Sequence, residues 1–363
     1  MPVEVLGMIG AMREASGGAA VSIIGGGVDG DYIAEFARAH EAAGFDQVLV
    51  GYGSVSADGM AVAAHAISQT TRLHYLIAHR PGFVTPTLAA RKFATLDRLS
   101  GGRVSMHVIT GGSDVDLQRD GDWLDHDTRY RRTDEYLAVV HRTWTSTEPF
   151  DFEGEFYRLR GAFSDVRCVQ QPHVPVYFGG SSAAALAVGA KHADVYMLWG
   201  EPLSGIRQQM DEVRAAAGAH GREPSFSVSF RPIIADNEEA AWERARRILA
   251  GVTAARPADA PARPRPQAVG SQRLLEFAAQ GELHDRRLWM PVAAATGAAG
   301  NTSALVGTPA QVVEALLDYY DLGVRAFLLR GFDPLADAHD YGRELIPRLH
   351  EAVLSRDRHP VSV

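Results

Sequence analysis

The stretch "FGGSS", residues 178–182, places two glycines and two hydroxyl side chains between a strand pattern and a helix pattern. Gly179 and Gly180 would let the backbone turn tightly and approach a ligand closely. Ser181 and Ser182 would begin the helix, where free backbone N–H groups and hydroxyls converge at the positive end of the helix dipole. This chemistry suits a phosphate. An ordinary glycine turn with a serine N-cap explains the same residues, so the stretch by itself leaves both interpretations open.

Two further stretches contain polar side chains that can form hydrogen bonds. His107 and Thr110 lie near the end of the strand pattern "RVSMHVIT". Tyr130 lies in "DHDTRY" next to Arg129 and offers a phenolic hydroxyl as a hydrogen-bond donor. Structural roles stay open here too, because Tyr130 also suits the start of an amphipathic helix and Arg129 a solvated surface.

The elements that must position these residues follow a regular order. About eight short apolar runs alternate with helical patterns, from "VEVLGMI" near the start to "VRAFLLRGF" near the end. The runs are apolar on both faces, which is typical of parallel sheets covered by helices. This order predicts an α/β fold that closes into a (β/α)8 TIM barrel. A doubly wound open sheet is the alternative, but no GxGxxG fingerprint follows the first strand.

Two stretches interrupt the alternation, and we expect both to belong to a single domain over residues 1–363. Residues 111–171 form an insertion, with a helix near residues 131–145 and a hairpin around "FDFEGEFYRL". Residues 254–267 are rich in Pro and Ala, and strand–helix units resume after them. We therefore predict a mobile lid at residues 254–281 that becomes ordered over a bound ligand.

Composition and charge argue against several classes of function. The 363 residues carry a formal net charge of −8 and the pI is about 6.0, so a basic footprint for nucleic acid is missing. No apolar run approaches the ~20 residues that span a bilayer, and the first residues do not have the pattern of a signal peptide. With a single cysteine, Cys168, these features predict a cytoplasmic protein. The histidine spacing contains no metal-binding motif.

Several blocks, taken together and in order, resemble the bacterial luciferase-like flavin-dependent monooxygenases. They are "ATLDRLSGGRVSMHVITGGS", "DHDTRYRRTDEY", "FGGSS" and "LWGEP". Similar blocks cover about residues 45–207 and 305–349, and the nearest subgroup is the FMNH2-dependent alkanesulfonate monooxygenases. The resemblance implies a TIM barrel with insertions that uses O2 and reduced FMN to oxidise a small organic substrate. It also implies a separate NAD(P)H-dependent flavin reductase as partner, and a homodimer or homotetramer.

The resemblance further implies roles for individual residues. The FMN phosphate would bind a set of hydroxyl and backbone groups, namely Tyr130, Gly180, Ser181 and Ser182. The flavin ring would lie over the barrel mouth near Ala78, His107 and Thr110. Members of the family often have a non-prolyl cis peptide against the flavin, and Ala78–His79 is the matching bond. Because such a bond costs roughly 3–4 kcal/mol, we expect it only at a functional site and count His79 as a catalytic candidate.

The substrate-binding residues of the alkanesulfonate subgroup are largely absent. Ser229 and Arg231 stand where the subgroup has an arginine and a histidine. Four further polar or reactive side chains of the subgroup are replaced, at Ser56, Thr296, Phe332 and Pro334. A sulfonate carries a full charge and normally binds Arg or Lys donors, so the pocket is expected to differ from that of the subgroup.

Arg231 has two predicted roles that the sequence leaves open. It could be a catalytic residue whose guanidinium contacts an anion, or it could form an ion pair with Asp333. The substrate pocket is expected to be lined by Ser56, Trp199, Ser229 and Phe332. The aromatic members of this set would suit a neutral substrate.

Two other functions stay open as well. A related barrel could use a deazaflavin for hydride transfer without O2. A non-catalytic flavin-binding protein is the second alternative, because the familiar catalytic side chains are missing. Affinity for a deazaflavin and not for FMN would identify the first, and substrate-dependent consumption of O2 would exclude the second.

Overall fold

Parallel strands close into a barrel in the computed structural model, which describes residues 3–13, 18–256 and 263–358. In chain order the strands are β1 (Glu4–Ile9), β2 (Gln47–Val50), β3 (His74–His79), β4 (Val104–Val108), β5 (Phe150–Glu153), β6 (Arg158–Ala162), β7 (Val176–Gly179), β8 (Val195–Trp199), β9 (Ser225–Ile234), β10 (Leu283–His284), β11 (Leu288–Trp289), β12 (Ala304–Gly307) and β13 (Ala326–Leu329). The helices are α1 (Gly30–Ala42), α2 (Gly59–Ile67), α3 (Pro86–Ser100), α4 (Asp114–Arg119), α5 (His126–Thr145), α6 (Ala183–His192), α7 (Leu203–Gly218), α8 (Glu238–Ala254), α9 (Val269–Gln280), α10 (Pro291–Thr296), α11 (Pro309–Asp321), α12 (Pro334–Asp340) and α13 (Ile346–Arg358). A π-helical turn at Tyr341–Leu345 joins the last two helices.

Eight strands form the barrel, in the order β9-β13-β1-β2-β3-β4-β7-β8. Every neighbouring pair runs parallel, and pairing between β8 and β9 closes the ring. The predicted (β/α)8 TIM barrel is therefore confirmed, and the closing pair excludes a doubly wound open sheet.

One contact across the barrel shows which side chains point inward. Gln47 on β2 donates a hydrogen bond of 2.9 Å to the Ser105 hydroxyl on β4, over the strand between them. Side chains alternate along a strand and paired residues of neighbouring strands share a face. The strand registers therefore show which residues at the carboxyl ends of the strands lie on the inward face. That end, the barrel mouth, is lined from within by Met8, Leu49, Ala78, His107, Met197, Trp199, Ser229 and Arg330.

Local signals in the sequence fix where the helices begin and end. Asp29 caps α1 by accepting a 3.0 Å hydrogen bond from the backbone N–H of Tyr32. Helix α3 has Pro86 in its first turn and ends on Gly101 at φ +70°, as the "TPT" and "SGG" patterns predict. None of the described helices combines the length and the apolar composition required to cross a bilayer.

The insertion at residues 111–171 contains α4, α5 and an antiparallel hairpin of β5 and β6. The predicted helix and hairpin are thus both present. Helix α5 begins at His126, five residues before the predicted start, because Asp125 caps it and accepts a 2.9 Å hydrogen bond from the Thr128 N–H.

The stretch "ALVG", residues 304–307, adds a strand beyond the eight of the barrel. It forms β12, which pairs in parallel with the carboxyl-terminal half of β9, from Arg231 to Ile234. β9 has ten residues, so its second half extends beyond the barrel and offers this edge. A neighbour so distant in sequence leaves no signal in a four-residue apolar run.

Two histidines that lie between the sheet and the helices predict that the fold is sensitive to acid. His40 packs between Phe36 and Phe45, and His79 packs against Phe93. Burial lowers the pKa of each histidine from 6.5 to about 4. Protonation therefore favours the unfolded chain. Their contribution to stability is complete above about pH 6.5 and is lost as the pH falls toward 4, at about 1.4 kcal/mol per pH unit for each histidine.

Urea denaturation at a series of pH values between about 7 and 5 measures this loss. The variant His79→Gln should flatten the pH dependence of the free energy of unfolding by up to one proton, whatever it does to stability at neutral pH. His220→Gln changes an exposed histidine and serves as the matched control. An unchanged slope in His79→Gln would show that His79 titrates normally in the folded protein.

Candidate functional site

The "FGGSS" turn lies at the barrel mouth and is shaped around a glycine. β7 ends at Gly179, and Gly180 has φ +151°. A Cβ atom at Gly180 would lie 2.6 Å from the Ala185 Cβ and 3.3 Å from the Tyr130 hydroxyl. The backbone therefore passes here at a distance that a side chain would not allow. Ser182 then caps α6 by accepting a 3.1 Å hydrogen bond from the Ala185 N–H.

Hydroxyl groups from three elements converge on this turn. The Tyr130 hydroxyl, from α5, contacts the side chains of Ser182 and Thr110. Burial raises the pKa of Tyr130, and the contacts with these hydroxyls lower it in part, so the phenol keeps its proton at neutral pH. The Thr110 hydroxyl lies 3.3 Å from that of Thr133. We call the space between Thr110, Tyr130 and residues 180–182 the hydroxyl cleft.

Two further hydrogen bonds hold the turn in place. The Tyr196 hydroxyl donates to the carbonyl oxygen of Gly180 at 2.7 Å. The Ser181 hydroxyl donates to Oε1 of Gln209, on α7, at 2.9 Å. Both ends of the turn are thus tied to neighbouring elements, which favours a preformed binding site over one that assembles around a ligand.

The inner wall beside the hydroxyl cleft contains a neutral histidine with an unused ring nitrogen. His107 is paired with Ala78 on the inward face, and its Nε2 lies 4.0 Å from a Cβ built at Gly179. Burial lowers the pKa of His107 to about 4, so its ring is uncharged at neutral pH. Its Nδ1 is buried without a hydrogen-bond partner. An orphaned polar atom of this kind at a barrel mouth marks a place where a ligand group can bind.

Helix α9 covers the mouth at Trp199. A Cβ at Gly270 would lie 3.2 Å from the Trp199 ring, so the start of the helix rests directly on the indole. Arg273 anchors the helix with two hydrogen bonds, of 2.8 and 2.6 Å, to the buried carboxylate of Glu201. The predicted lid at residues 254–281 lies partly outside the described residues, and its described part contains this anchored helix.

The same segment connects to the hydroxyl cleft through one carboxylate. Gln267 and Asp114 exchange two hydrogen bonds, of 3.0 and 3.1 Å. Asp114 also accepts a 2.9 Å hydrogen bond from the Arg129 guanidinium, which adjoins Tyr130 in α5. A displacement of the segment would therefore disturb Asp114 and, through it, Arg129, which is next to Tyr130 in the sequence.

The prediction at Ala78–His79 is wrong in two respects. The only cis peptide bond within the described residues is Gln171–Pro172, so Ala78–His79 is trans. His79 continues β3 and points outward, where its Nε2 lies 2.6 Å from the Tyr136 hydroxyl on α5. The ring is thus held between the sheet and the helices, away from the mouth, and His79 is not placed for catalysis.

Backbone carbonyl groups engage four of the five N–H donors of Arg231, which argues against both roles predicted for it. Its guanidinium donates hydrogen bonds to the carbonyl oxygens of Asn301 at 3.1 Å, Ala20 at 2.8 Å and Gly331 at 3.1 Å, and also to that of Val21. The side chain is almost completely buried and makes no ion pair with Asp333. It joins three loops and has no donor fork free for a substrate.

One of the four predicted pocket residues lies elsewhere, and the hydroxyl of another is used in a local turn. Phe332 is buried beneath the Arg231 guanidinium, 4.6 Å from ring centre to cation, within a second core outside the barrel. The Ser56 hydroxyl closes a local turn with the backbone of Gly53, at 2.7 and 2.9 Å. Trp199 and Ser229 do lie at the mouth, where the Ser229 hydroxyl accepts a 3.0 Å hydrogen bond from Asn301.

Two residues that the sequence analysis did not select lie at the centre of the mouth. Arg330 follows directly after β13 on the inward face, and its Nη2 donates to the Asn301 carbonyl oxygen at 2.8 Å. The side-chain amide of Asn301 contacts Ser229 and the N–H of Gly200. The position of Arg330 after the apolar run "AFLL" was a signal, because strand ends of a parallel barrel face the active site.

Within the described ranges, no group of three or more His, Cys, Asp or Glu side chains is arranged to hold a metal ion. The donors at the mouth are hydroxyls, backbone N–H groups, one neutral imidazole and one guanidinium. This set suits an organic ligand with a phosphate, and not a cation.

Comparison with known families finds a model that matches most of the chain. The model is described as luciferase-like monooxygenase, and it matches residues 8–326. That range includes the hydroxyl cleft, His107, Trp199 and the whole insertion.

Solved structures with the same fold cover nearly the whole chain. A riboflavin lyase (RcaE), solved with modified FMN and riboflavin, has 21% identity and a TM-score of 0.78, over 97% of this chain and 92% of that chain. EDTA monooxygenase (EmoA) from Chelativorans sp. BNC1 has 19% identity and a TM-score of 0.75, over 97% and 95%. An F420-dependent secondary alcohol dehydrogenase has 17% identity and a TM-score of 0.68, over 96% and 99%. At these identities the likeness establishes the fold.

Proposed function

Because the chain belongs to the luciferase-like monooxygenase family, we propose that it is a two-component FMN-dependent monooxygenase that oxidises a small organic substrate. Reduced FMN would come from a separate NAD(P)H-dependent flavin reductase, and O2 would be the cosubstrate. The observation that carries the proposal is the hydroxyl cleft, where Gly180, Tyr130, Ser182 and Thr110 converge at the end of β7.

The residues at the mouth fit FMN in two independent ways. The hydroxyl cleft combines the free N–H groups at the start of α6 with hydroxyl donors, and the absence of a Cβ at Gly180 leaves room for phosphate oxygens. His107 offers an uncharged imidazole with a free Nδ1 to a polar edge of the flavin ring. Ala78 gives the ring a flat apolar surface next to His107.

The protein's part in the reaction is to bind, orient and shield. FMN, when bound and reduced, supplies the chemistry with O2. The hydroxyl cleft would hold the phosphate at one end, so that the ring lies over Ala78 and His107. Helix α9 on Trp199 and the Gln267–Asp114 contact would exclude bulk water from the mouth. His107 stays neutral and would act as a hydrogen-bonding group at its Nδ1, not as an acid.

Anaerobic titration with reduced FMN, followed by O2 uptake with candidate substrates, tests this function. We expect binding of reduced FMN and substrate-dependent O2 uptake with a reductase present. Binding of F420, a deazaflavin, without binding of FMN would instead assign hydride transfer without O2. Binding of FMN with no substrate-dependent uptake across a broad panel would support a non-catalytic flavin-binding protein.

Tyr130→Phe is expected to raise the Kd for FMN about tenfold, because it removes one hydrogen bond to a charged phosphate. Flavin fluorescence titration measures the change. Tyr157→Phe removes a tyrosine hydroxyl next to the β5–β6 hairpin and is the matched control. Equal affinity in Tyr130→Phe and the wild type would place the phosphate outside the hydroxyl cleft.

A further inference from the structure

Arg330 is a partly buried cation for which the described part of the chain provides no counter-ion. Its Nη2 donates to the Asn301 carbonyl oxygen at 2.8 Å, and its Nη1 lies 3.5 Å from the Met8 sulfur. Its Nε is buried without any partner. A guanidinium has five N–H donors and no acceptor, so most of the donor capacity of Arg330 is unused.

A second cation lies close to Arg330. Arg231 donates to the same carbonyl oxygen of Asn301, at 3.1 Å, and burial, followed by the charge of Arg330, lowers the pKa of Arg231. The carbonyl groups around Arg231 satisfy its hydrogen bonds but do not neutralise its charge. The region between the two side chains therefore has a positive potential, which favours an anion.

Arg330 lies on the inward face at the barrel mouth. The residue keeps part of its surface accessible to solvent, although protein surrounds it closely enough for burial to lower its pKa to about 10. A small hollow of about 10 Å3, lined in part by Ile23 and both arginines, also borders the side chain. That hollow is on the scale of one water molecule, so an organic anion must approach from the mouth.

A buried charge with unused hydrogen-bond donors destabilises the protein unless a ligand of opposite charge binds to it. The surrounding mouth is otherwise apolar at Met8, Met197 and Trp199, which suits the non-polar body of a small molecule. β13 is separated from β7 by β8 and β9 around the barrel, so Arg330 does not belong to the hydroxyl cleft.

We propose that Arg330 binds the anionic group of the substrate, a carboxylate or a sulfonate, through its guanidinium fork. Planar paired donors match the oxygen spacing of such groups, and burial strengthens the interaction. The inference rests on the proposed function, because it assigns the substrate class of the same mouth. It replaces the neutral substrate that the aromatic residues had suggested.

Calorimetric titration of the full chain, with and without FMN, tests the assignment with three small probes. Pentanesulfonate and hexanoate carry the anion, and methyl pentyl sulfone is the neutral analogue of similar length. The proteins are the wild type, Arg330→Met, Arg330→Lys and the control Arg356→Met, which changes an arginine on the outer helix α13. A urea denaturation curve of each variant confirms that it is folded.

We expect the wild type and Arg356→Met to bind both anions at least about tenfold more tightly than the sulfone. Arg330→Met should lose this preference, and Arg330→Lys should keep part of it. An anion preference that persists in folded Arg330→Met, or a wild type that binds the sulfone equally well, would overturn the inference. FMN affinity should be similar in all four proteins. If FMN fails to bind the wild type, the proposed cofactor is wrong, whereas the anion preference remains measurable separately.

Discussion

Gly180→Ala is expected to raise the Kd for FMN at least about 100-fold while the protein still folds. A Cβ at this position would lie 2.6 Å from the Ala185 Cβ and 3.3 Å from the Tyr130 hydroxyl, and φ is +151°. Relief of both contacts would displace the first turn of α6 and Tyr130, which together supply the donors of the hydroxyl cleft. The loss of two charge-assisted hydrogen bonds amounts to about 3 kcal/mol or more, which corresponds to at least 100-fold in Kd.

Fluorescence titration of FMN measures this effect, and two variants make the result specific. Gly218→Ala is the control, because nothing lies within 4 Å of a Cβ at the end of α7. Ala185→Gly, added to Gly180→Ala, removes the 2.6 Å contact and should restore part of the affinity. Unchanged FMN affinity in Gly180→Ala would refute the hydroxyl cleft as the phosphate site.

The turn and the helix cap of this region were predictable because their signals are local. The glycines and serines of "FGGSS" determine the turn and the cap of α6 within five residues, and the rule that strand ends share one face placed the turn at the mouth. Thr110 and Tyr130 were brought to the same place by the resemblance, and the structure shows their hydroxyls converging with Ser182. The barrel was predictable for a similar reason, since it requires only the order of strands and helices.

The prediction for Arg231 was wrong because the partners of this residue are distant in sequence. Two of its acceptors, the carbonyl oxygens of Ala20 and Val21, are more than 200 residues away, and the other two come from separate loops. All four acceptors are backbone atoms, which any residue type supplies. No pattern of side chains in the sequence could therefore have shown whether this guanidinium binds backbone carbonyl groups or a substrate.

His79 shows a different limit of sequence-based prediction, because the sequence did not reveal which face of the strand its side chain is on. The sequence located the end of β3 correctly, but inward and outward positions differ by a single residue. His107 on β4 points into the barrel because it is two residues beyond Ser105, whereas His79 pairs with Val108 and points outward. Arg330 was missed because it follows an apolar strand as a single charged residue, with no neighbouring motif that would select it.

Arg231→Met is expected to lower the free energy of unfolding by about 3–5 kcal/mol. The Asn301 carbonyl oxygen keeps its hydrogen bond from Arg330. The substitution leaves the carbonyl oxygens of Ala20, Val21 and Gly331 without their donor in a region that excludes water, and each costs about 1–3 kcal/mol. Part of this is regained, because the desolvation penalty of the buried charge disappears as well. Urea denaturation of the full chain at neutral pH measures the difference.

Arg330→Met is the matched control, because the same substitution there removes a buried guanidinium with one strong hydrogen bond instead of four. Its free energy of unfolding should change by less than about 1.5 kcal/mol, in either direction. The two arginines would thus have different roles, with Arg231 required for stability and Arg330 for anion binding. If Arg231→Met is as stable as the wild type but loses activity, Arg231 acts on the substrate after all, and its hydrogen bonds to the loops contribute little to the fold.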